Sequence, residues 1–287
     1  MISVRLMGGL GNQMFQYAAA RRLAGIRNAR LVLDVSHYEN QPPEEVPRHY
    51  ELDCFNISAK FSREPVENIV GKRQGMRKLV PLAPRIIHEK NFAFDREILR
   101  AADNILLVGY WQSEKYFKDY TDQLRKDFTF KDPLSPAKQL VANNIAKEPY
   151  AVSVQVRRGD YISHTASSNF HGALELDYYK RAVLELAKTI SSPHFFVISD
   201  DPEWCKENLE LGFPTTFVDH VPDTGHEDMR LTSLCKHHII ANSTFSWWGA
   251  WLNPRPNKLV IAPALWFKEP SMLKYAQDVV PRNWIRV

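Results

Sequence analysis

Two adjacent arginines stand in the segment Val156-Arg157-Arg158-Gly159-Asp160-Tyr161. It follows Ala151 to Val156, where Val152, Val154 and Val156 alternate as in a strand. In doubly wound α/β sheets, ligands collect outside the carboxyl ends of strands. Paired guanidiniums there suit a pyrophosphate, because the planar fork of arginine matches phosphate oxygens. The alternative is that one arginine pairs with Asp160 and the other is solvated. A second segment, Ile239-Ile240-Ala241-Asn242-Ser243-Thr244-Phe245-Ser246, reads as a strand turning into a helix through small hydroxyl residues. The free N–H groups and dipole of such a helix start attract phosphate. Plain N-capping by Asn242, Ser243 or Thr244 is the alternative.

Two further segments carry weaker signals. In Ser199-Asp200-Asp201-Pro202, Asp201 reads as an N-cap with Pro202 in the first helical position. Asp200 is then left either to accept the two N–H groups of guanine's Watson–Crick edge or to make an ordinary turn. Gly8-Gly9-Leu10-Gly11-Asn12-Gln13, with Asp34 further on, superficially suggests a dinucleotide fingerprint, but it is not GxGxxG. As a glycine loop it lets backbone approach a substrate closely, with Asn12 and Gln13 supplying amide hydrogen bonds. Trp247, Trp248 and Trp251 lie at helical spacing and are read as core packing in preference to a sugar platform.

The elements that must position these residues follow from periodicity. Ile2, Val4 and Leu6 alternate as a strand, and Asn12 is expected to cap a helix faced by Phe15, Ala19 and Leu23. Strands are predicted over 30–34, 105–110, 151–156, 194–199, 215–218, 238–241 and 259–262. Helices are predicted up to about Lys147, over 177–188 and after Thr244. The stretch from Lys60 to Pro84 is basic and weakly patterned. Alternating strands and helices argue an α/β fold with mostly parallel sheets. The expected architecture is GT-B-like, with two Rossmann-like domains, 1–148 and 149–287, facing a central cleft. The last helix is expected to be able to pack back on the first domain.

Composition narrows the function classes. The chain has 287 residues, 44% hydrophobic and 24% charged, with 37 Lys and Arg against 33 Asp and Glu. That is ordinary globular composition, without the clustered basic surface of a nucleic-acid-binding protein. The three cysteines show no CxxC spacing and predict no disulfide framework. Met1 leads directly into the first strand, and no apolar run approaches 20 residues. A cytoplasmic protein, with at most peripheral membrane contact, is expected.

The segments Gly8 to Tyr17, Arg157 to Tyr161, Ser199 to Asp201 and Asn242 to Gly249, in that order, resemble the α-1,2-fucosyltransferases of glycosyltransferase family 11. The resemblance spans essentially the whole chain, and the Arg-Arg-Gly-Asp and Asn-Ser-Thr-Phe-Ser-Trp-Trp blocks together are highly specific. It implies a metal-independent, inverting transfer of fucose from GDP-β-L-fucose, with no cofactor and no bound metal. The implied acceptor is the 2-hydroxyl of a galactose in an oligosaccharide or lipid-linked surface glycan. It implies that Arg157 holds the β-phosphate and that Arg158 supports it or the frame of the site. Ser243, Thr244 and Phe245 would meet the diphosphate, and Asp200 would read guanine. Asn12 and Gln13 would lie near fucose and acceptor. The chain departs from the family where a histidine normally stands two residues before the first arginine; here it is Gln155, which keeps a hydrogen bond to the base but no titrating imidazole.

Departing GDP leaves negative charge on its β-phosphate, which Arg157 and the helix start at Ser243 are expected to neutralise. The acceptor hydroxyl must lose a proton. Asp160 is the first candidate base, or else it orients Arg158; His164, His171 and Glu175 are the others. Two readings compete: a dinucleotide-dependent oxidoreductase built on the first βαβ unit and Asp34, and a non-catalytic GDP- or glycan-binding module.

Overall fold

The computed structural model describes residues 1–71, 84–222 and 224–287. Residues 72–83, about half of the weakly patterned basic stretch, lie outside the described residues. The chain divides into two α/β units, Met1–Lys131 and Asp132–Val287.

The first unit runs β1 (Ile2–Arg5), α1 (Leu10–Ile26), β2 (Leu31–Asp34), β3 (Lys60–Ser62), α2 (Val66–Gly71), β4 (Arg85–His88), β5 (Ile105–Val108) and α3 (Thr121–Asp127). Its sheet is ordered β3-β2-β1-β5-β4, with every neighbour parallel. The edge strands β3 and β4 are mostly exposed and carry no alternating apolar pattern, so periodicity does not reveal them. Strand β5 stops at Val108, short of the predicted Tyr110. Gly109 (φ 156°) and Trp111 (φ 57°) turn the chain out of the extended conformation.

Helix α1 begins at Leu10 rather than after an Asn12 cap. Gly8, at φ 74°, turns the chain, and Gly9 occupies the N-cap without a side-chain bond. A Cβ on Gly8 would lie 2.5 Å from the Asn12 amide nitrogen, so this turn requires glycine.

The second unit runs α4 (Pro136–Lys147), β6 (Ala151–Val156), α5 (Gly159–Ser163), α6 (Thr165–Phe170), α7 (Leu176–Ala187), β7 (His194–Ser199), α8 (Pro202–Asn208), β8 (Thr215–Phe217), α9 (Gly225–Leu234), β9 (His237–Ile239), α10 (Thr244–Leu252), β10 (Val260–Ala262) and β11 (Ile285–Arg286). Its sheet is ordered β11-β10-β9-β6-β7-β8, again all parallel. Strand β6 is buried along its whole length, as a central parallel strand covered on both faces must be. On one face Val152, Val154 and Val156 pack against Tyr178, Ala182 and Leu186 of α7. On the other, Ala151, Phe196 and Ile198 pack against Ala142 and Ile145 of α4 and Leu231 of α9.

That second face moves the domain boundary. Helix α4 buries its apolar side on the second sheet, so the division falls after Lys131 and not at 148/149. The tryptophans of α10 are core, as expected: Trp247 and Trp248 are fully buried, and the Trp247 indole donates to the Val279 carbonyl (2.8 Å). Trp284 packs on Trp247 (5.3 Å between rings), which fixes the chain's final segment within the second unit.

Candidate functional site

Strand order reverses between β6 and β9, because β7 and β8 extend to one side and β10 and β11 to the other. In such sheets the carboxyl ends of the strands at this switch point leave a crevice. The segments after β6 and β9 are the Arg157–Asp160 loop and the Asn242–Phe245 turn. Both line one pocket, to which Gln155, Arg157, Ile198, Asp200, His220, Gly225, Asp228, Ser243, Phe245 and Ser246 contribute.

The guanidinium of Arg157 donates to Asp160 (Nη2 to Oδ1, 2.6 Å), pairs with Asp200 (2.9 Å) and sits over the Tyr161 ring. Its side chain remains 28% exposed. Burial works against its charge, yet Asp200 and Asp160 hold the guanidinium's affinity for its proton above the ordinary value. Arg158 turns away from the pocket. It pairs with Asp201 (3.1 Å) and stacks at 3.6 Å on Trp204, so it belongs to the frame. Asp160 therefore meets Arg157 and not Arg158.

Asp200 follows β7 and lines the pocket, as expected, but its carboxylate is engaged within the protein. One oxygen pairs with Arg157 and the other accepts the Arg158 backbone N–H (2.9 Å). Gly159 makes this possible, since a Cβ there would stand 2.6 Å from Asp200 Oδ2. Asp201 caps α8 as expected, accepting from Trp204 N, with Pro202 first in the helix.

The start of α10 presents its first N–H groups with no side-chain cap; Ser243 occupies the N-cap, its carbonyl accepting from Trp247 N (2.9 Å) while its hydroxyl makes no capping bond. Ser243 and Phe245 line the pocket, whereas Thr244 is half-buried outside its lining. Asn242 is spent on structure, donating to the carbonyls of His171 (3.0 Å) and Gly172 (3.1 Å). The Tyr161 hydroxyl donates to the Asn242 carbonyl (3.1 Å) and so ties the two segments together. Gln155, in the place of the family histidine, donates to Thr232 Oγ1 and accepts from Ser246 Oγ (3.5 Å).

Sequence reasoning missed Asp228 and His220. Asp228 is 4% exposed, yet it contributes to the pocket lining together with Gln155 and Ser246. Lys138 pairs with its Oδ1, and His220 Nδ1 lies 3.3 Å from its Oδ2. Ile198, Phe245 and Gly225 add apolar wall beside it. A pocket lined by apolar groups and a carboxylate suits a flat base that carries N–H donors.

The other candidate bases separate. Burial drives the His171 imidazole down to about 4, with Asp160 opposing and Arg157 reinforcing the shift, so it is neutral at pH 7. It stacks on Tyr161 (4.9 Å, 1° between planes). His164 caps α6 by accepting from Ser167 N (3.4 Å), and Glu175 is exposed ahead of α7.

In the first unit, Gln13 is fully buried and its amide is consumed. It donates to the carbonyls of Gly8 (3.0 Å) and His49 (2.7 Å) and accepts from Glu51 N (2.9 Å). It is a structural latch and not a free substrate contact. Asn12 is half-buried and accepts from the Gln112 amide (3.1 Å). Gln112 is carried on the turn that Glu89 holds by accepting from Tyr110 N (2.7 Å) and Trp111 N (3.0 Å). Burial pushes the Glu89 carboxyl up to about 7. Asp34 is fully buried, bound by Arg5, Ser36 and Val66 N, which leaves nothing for a ribose and removes the dinucleotide reading. Among the described residues no group of three or more His, Cys, Asp or Glu could hold a metal ion, and no helix is long and apolar enough to cross a membrane.

The model for glycosyl transferase family 11 matches residues 88–287. An Escherichia coli alpha-1,2-colitosyltransferase is 33% identical, covering 100% of this chain and 98% of the relative. The O-antigen biosynthesis glycosyltransferase WbnK of Escherichia coli is 31% identical over 98% of this chain and 99% of its own. The human galactoside alpha-(1,2)-fucosyltransferase 1 is 28% identical over 85% of this chain and 63% of its own.

Proposed function

The chain belongs to glycosyl transferase family 11, and from that premise we propose that it transfers L-fucose from GDP-β-L-fucose to the 2-hydroxyl of a galactose, with inversion and without a metal. The acceptor in this reading is a galactose-terminated oligosaccharide or lipid-linked glycan of O-antigen or surface-polysaccharide assembly, met on the cytoplasmic side with at most peripheral membrane contact.

The observation that supports this most directly is the convergence of Arg157 and the uncapped start of α10 on one pocket at the switch point. As the anomeric C1–O bond breaks, its electron pair leaves with GDP. Arg157 and the α10 N–H groups stabilise the charge that grows on the β-phosphate. The acceptor oxygen attacks the opposite face of C1 and yields its proton to a base. We assign that role to Asp160, whose other function is to hold Arg157. Asp228 accepts from guanine, with Ile198 and Phe245 flanking the base.

A second donor is favoured by the colitosyltransferase relative, which matches the whole chain at 33% identity. Colitose is fucose without its 3-hydroxyl, so the same nucleotide site would serve.

Thermal shifts with GDP, GDP-fucose, GDP-colitose, GDP-mannose, UDP-galactose and NAD test the donor class. Selective stabilisation by guanine nucleotides is expected. Incubation of each GDP-sugar with lactose, with and without EDTA, followed by linkage analysis, tests the reaction. An α-1,2-linked product that survives EDTA is expected. GDP binding without transfer to any galactoside would leave a binding module. A strict need for added divalent metal would overturn the metal-free mechanism.

A further inference from the structure

Lys138 is among the most buried charged residues of the described chain, at 3% exposure. It stands on α4, and its ammonium pairs with Asp228 Oδ1 and donates to the Asp219 carbonyl (2.7 Å). Around Asp228 every polar contact is directional. His220 Nδ1 faces Oδ2 at 3.3 Å. The Thr232 hydroxyl donates to the Asp228 carbonyl (2.9 Å) and accepts from Gln155, which ties α9 to the end of β6. The neighbouring Glu227 accepts from Ser135 N (2.5 Å) and its hydroxyl (2.8 Å), clamping the start of α4 onto the same helix.

A buried ion pair is a poor device for stability, because desolvating both charges offsets their attraction, and apolar residues of similar volume often serve as well. It is a good device for fixing geometry. Lys138 takes one side of Oδ1, which leaves further lone pairs on both oxygens. Asp228 contributes to the pocket lining and Lys138 does not, so Lys138 holds the carboxylate from α4 without lining the pocket itself.

We propose that Lys138 is a positioning residue of the donor site: held from α4, the Asp228 carboxylate is oriented so that its two oxygens accept N1–H and the 2-amino group of guanine. The inference rests on the donor reading above. Its consequence is base selectivity. Hypoxanthine keeps N1–H but lacks the 2-amino group, and adenine presents no such donor pair.

The test compares the wild-type protein with Lys138→Met and Lys138→Arg by calorimetric binding of GDP, IDP and ADP, alongside donor KM and kcat. Wild type is expected to prefer GDP over IDP by about tenfold or more, the worth of one hydrogen bond to a charged acceptor. Lys138→Met should reduce that preference to about twofold and raise donor KM roughly tenfold, while kcat at saturating donor stays within about threefold, as loss of ground-state binding requires. Lys138→Arg should restore most of the preference. A folded Lys138→Met that keeps the wild-type GDP-to-IDP ratio overturns the proposal, as does a loss shared equally by all three nucleotides and kcat. If Lys138→Met does not fold, Lys138→Gln, which also removes the charge, is read by the same ratio. A wild-type protein that binds no guanine nucleotide would sink the donor reading and this inference together. GDP binding and fucosyl transfer with an unchanged ratio in the variant would sink this one alone.

Discussion

Replacing Arg157 with alanine removes a guanidinium that serves two masters. Inside the protein it holds Asp160 at 2.6 Å and Asp200 at 2.9 Å. Toward the pocket it keeps a 28% exposed edge, the part left for a phosphate. If that edge meets the β-phosphate as charge develops, its loss should lower kcat by about 10²- to 10³-fold, roughly 3–4 kcal/mol, as for a deleted oxyanion-hole donor. Donor KM should move much less, because the interaction strengthens in the transition state. The structural half of the role has its own cost. Asp160 and Asp200, each with a 16% exposed side chain, lose a partner, and a hydrogen bond to a charged group is worth about 1.5–3 kcal/mol. Melting temperature must therefore be measured with the kinetics, and turnover assayed well below it. Arg157→Lys separates the two halves: it keeps the charge but loses the fork, so its kcat should fall between those of wild type and Arg157→Ala. A lower melting temperature with kcat within about threefold of wild type would show that Arg157 is only a structural partner of two aspartates, and the phosphate assignment would be abandoned.

Gly159→Ala would place a Cβ 2.6 Å from Asp200 Oδ2, so the carboxylate must leave Arg157 or the Arg158 N–H. Turnover should fall about tenfold or more with the far-ultraviolet circular dichroism unchanged, as expected for a small displacement of a positioned group; wild-type turnover would mean that the Arg157–Asp200 contact is dispensable. His171 predicts a pH dependence of stability. Burial first, then Arg157 against the opposing Asp160, takes its pKa from an ordinary 6.5 to about 4, so the unfolded chain binds the proton more readily. Its contribution is whole above pH 6.5 and lost as pH falls toward 4, at most about 3 kcal/mol. Urea titrations from pH 7.5 to 4 should show this slope, and His171→Phe should flatten it; an unchanged slope would put the titrating group elsewhere.

The sheets and their contents were largely legible because parallel strands buried on both faces write themselves as apolar runs, and β6 and β7 are such strands. The edge strands β3 and β4 were not, since they are exposed and have no apolar face to alternate. The domain boundary was misplaced for a related reason. The apolar side of α4 is visible in its sequence, but nothing local says which sheet that side will cover. The same limit governs the site. A residue at the carboxyl end of a strand announces that it is near a crevice; which atoms it turns inward depends on the strand beside it. Asp200 follows β7, next to β6, and the Arg157 guanidinium and Arg158 N–H from the β6 loop claim its carboxylate. Asp228 follows no strand. It lies in the first turn of α9, where an acidic residue reads as ordinary helix-start electrostatics, and its partner Lys138 is 90 residues away on α4. Local spacing can find Arg157, because two adjacent cations are conspicuous on their own. It cannot find a carboxylate whose chemistry exists only once two distant helices have closed around it, and base selectivity, if Lys138 sets it, is written in that tertiary contact alone.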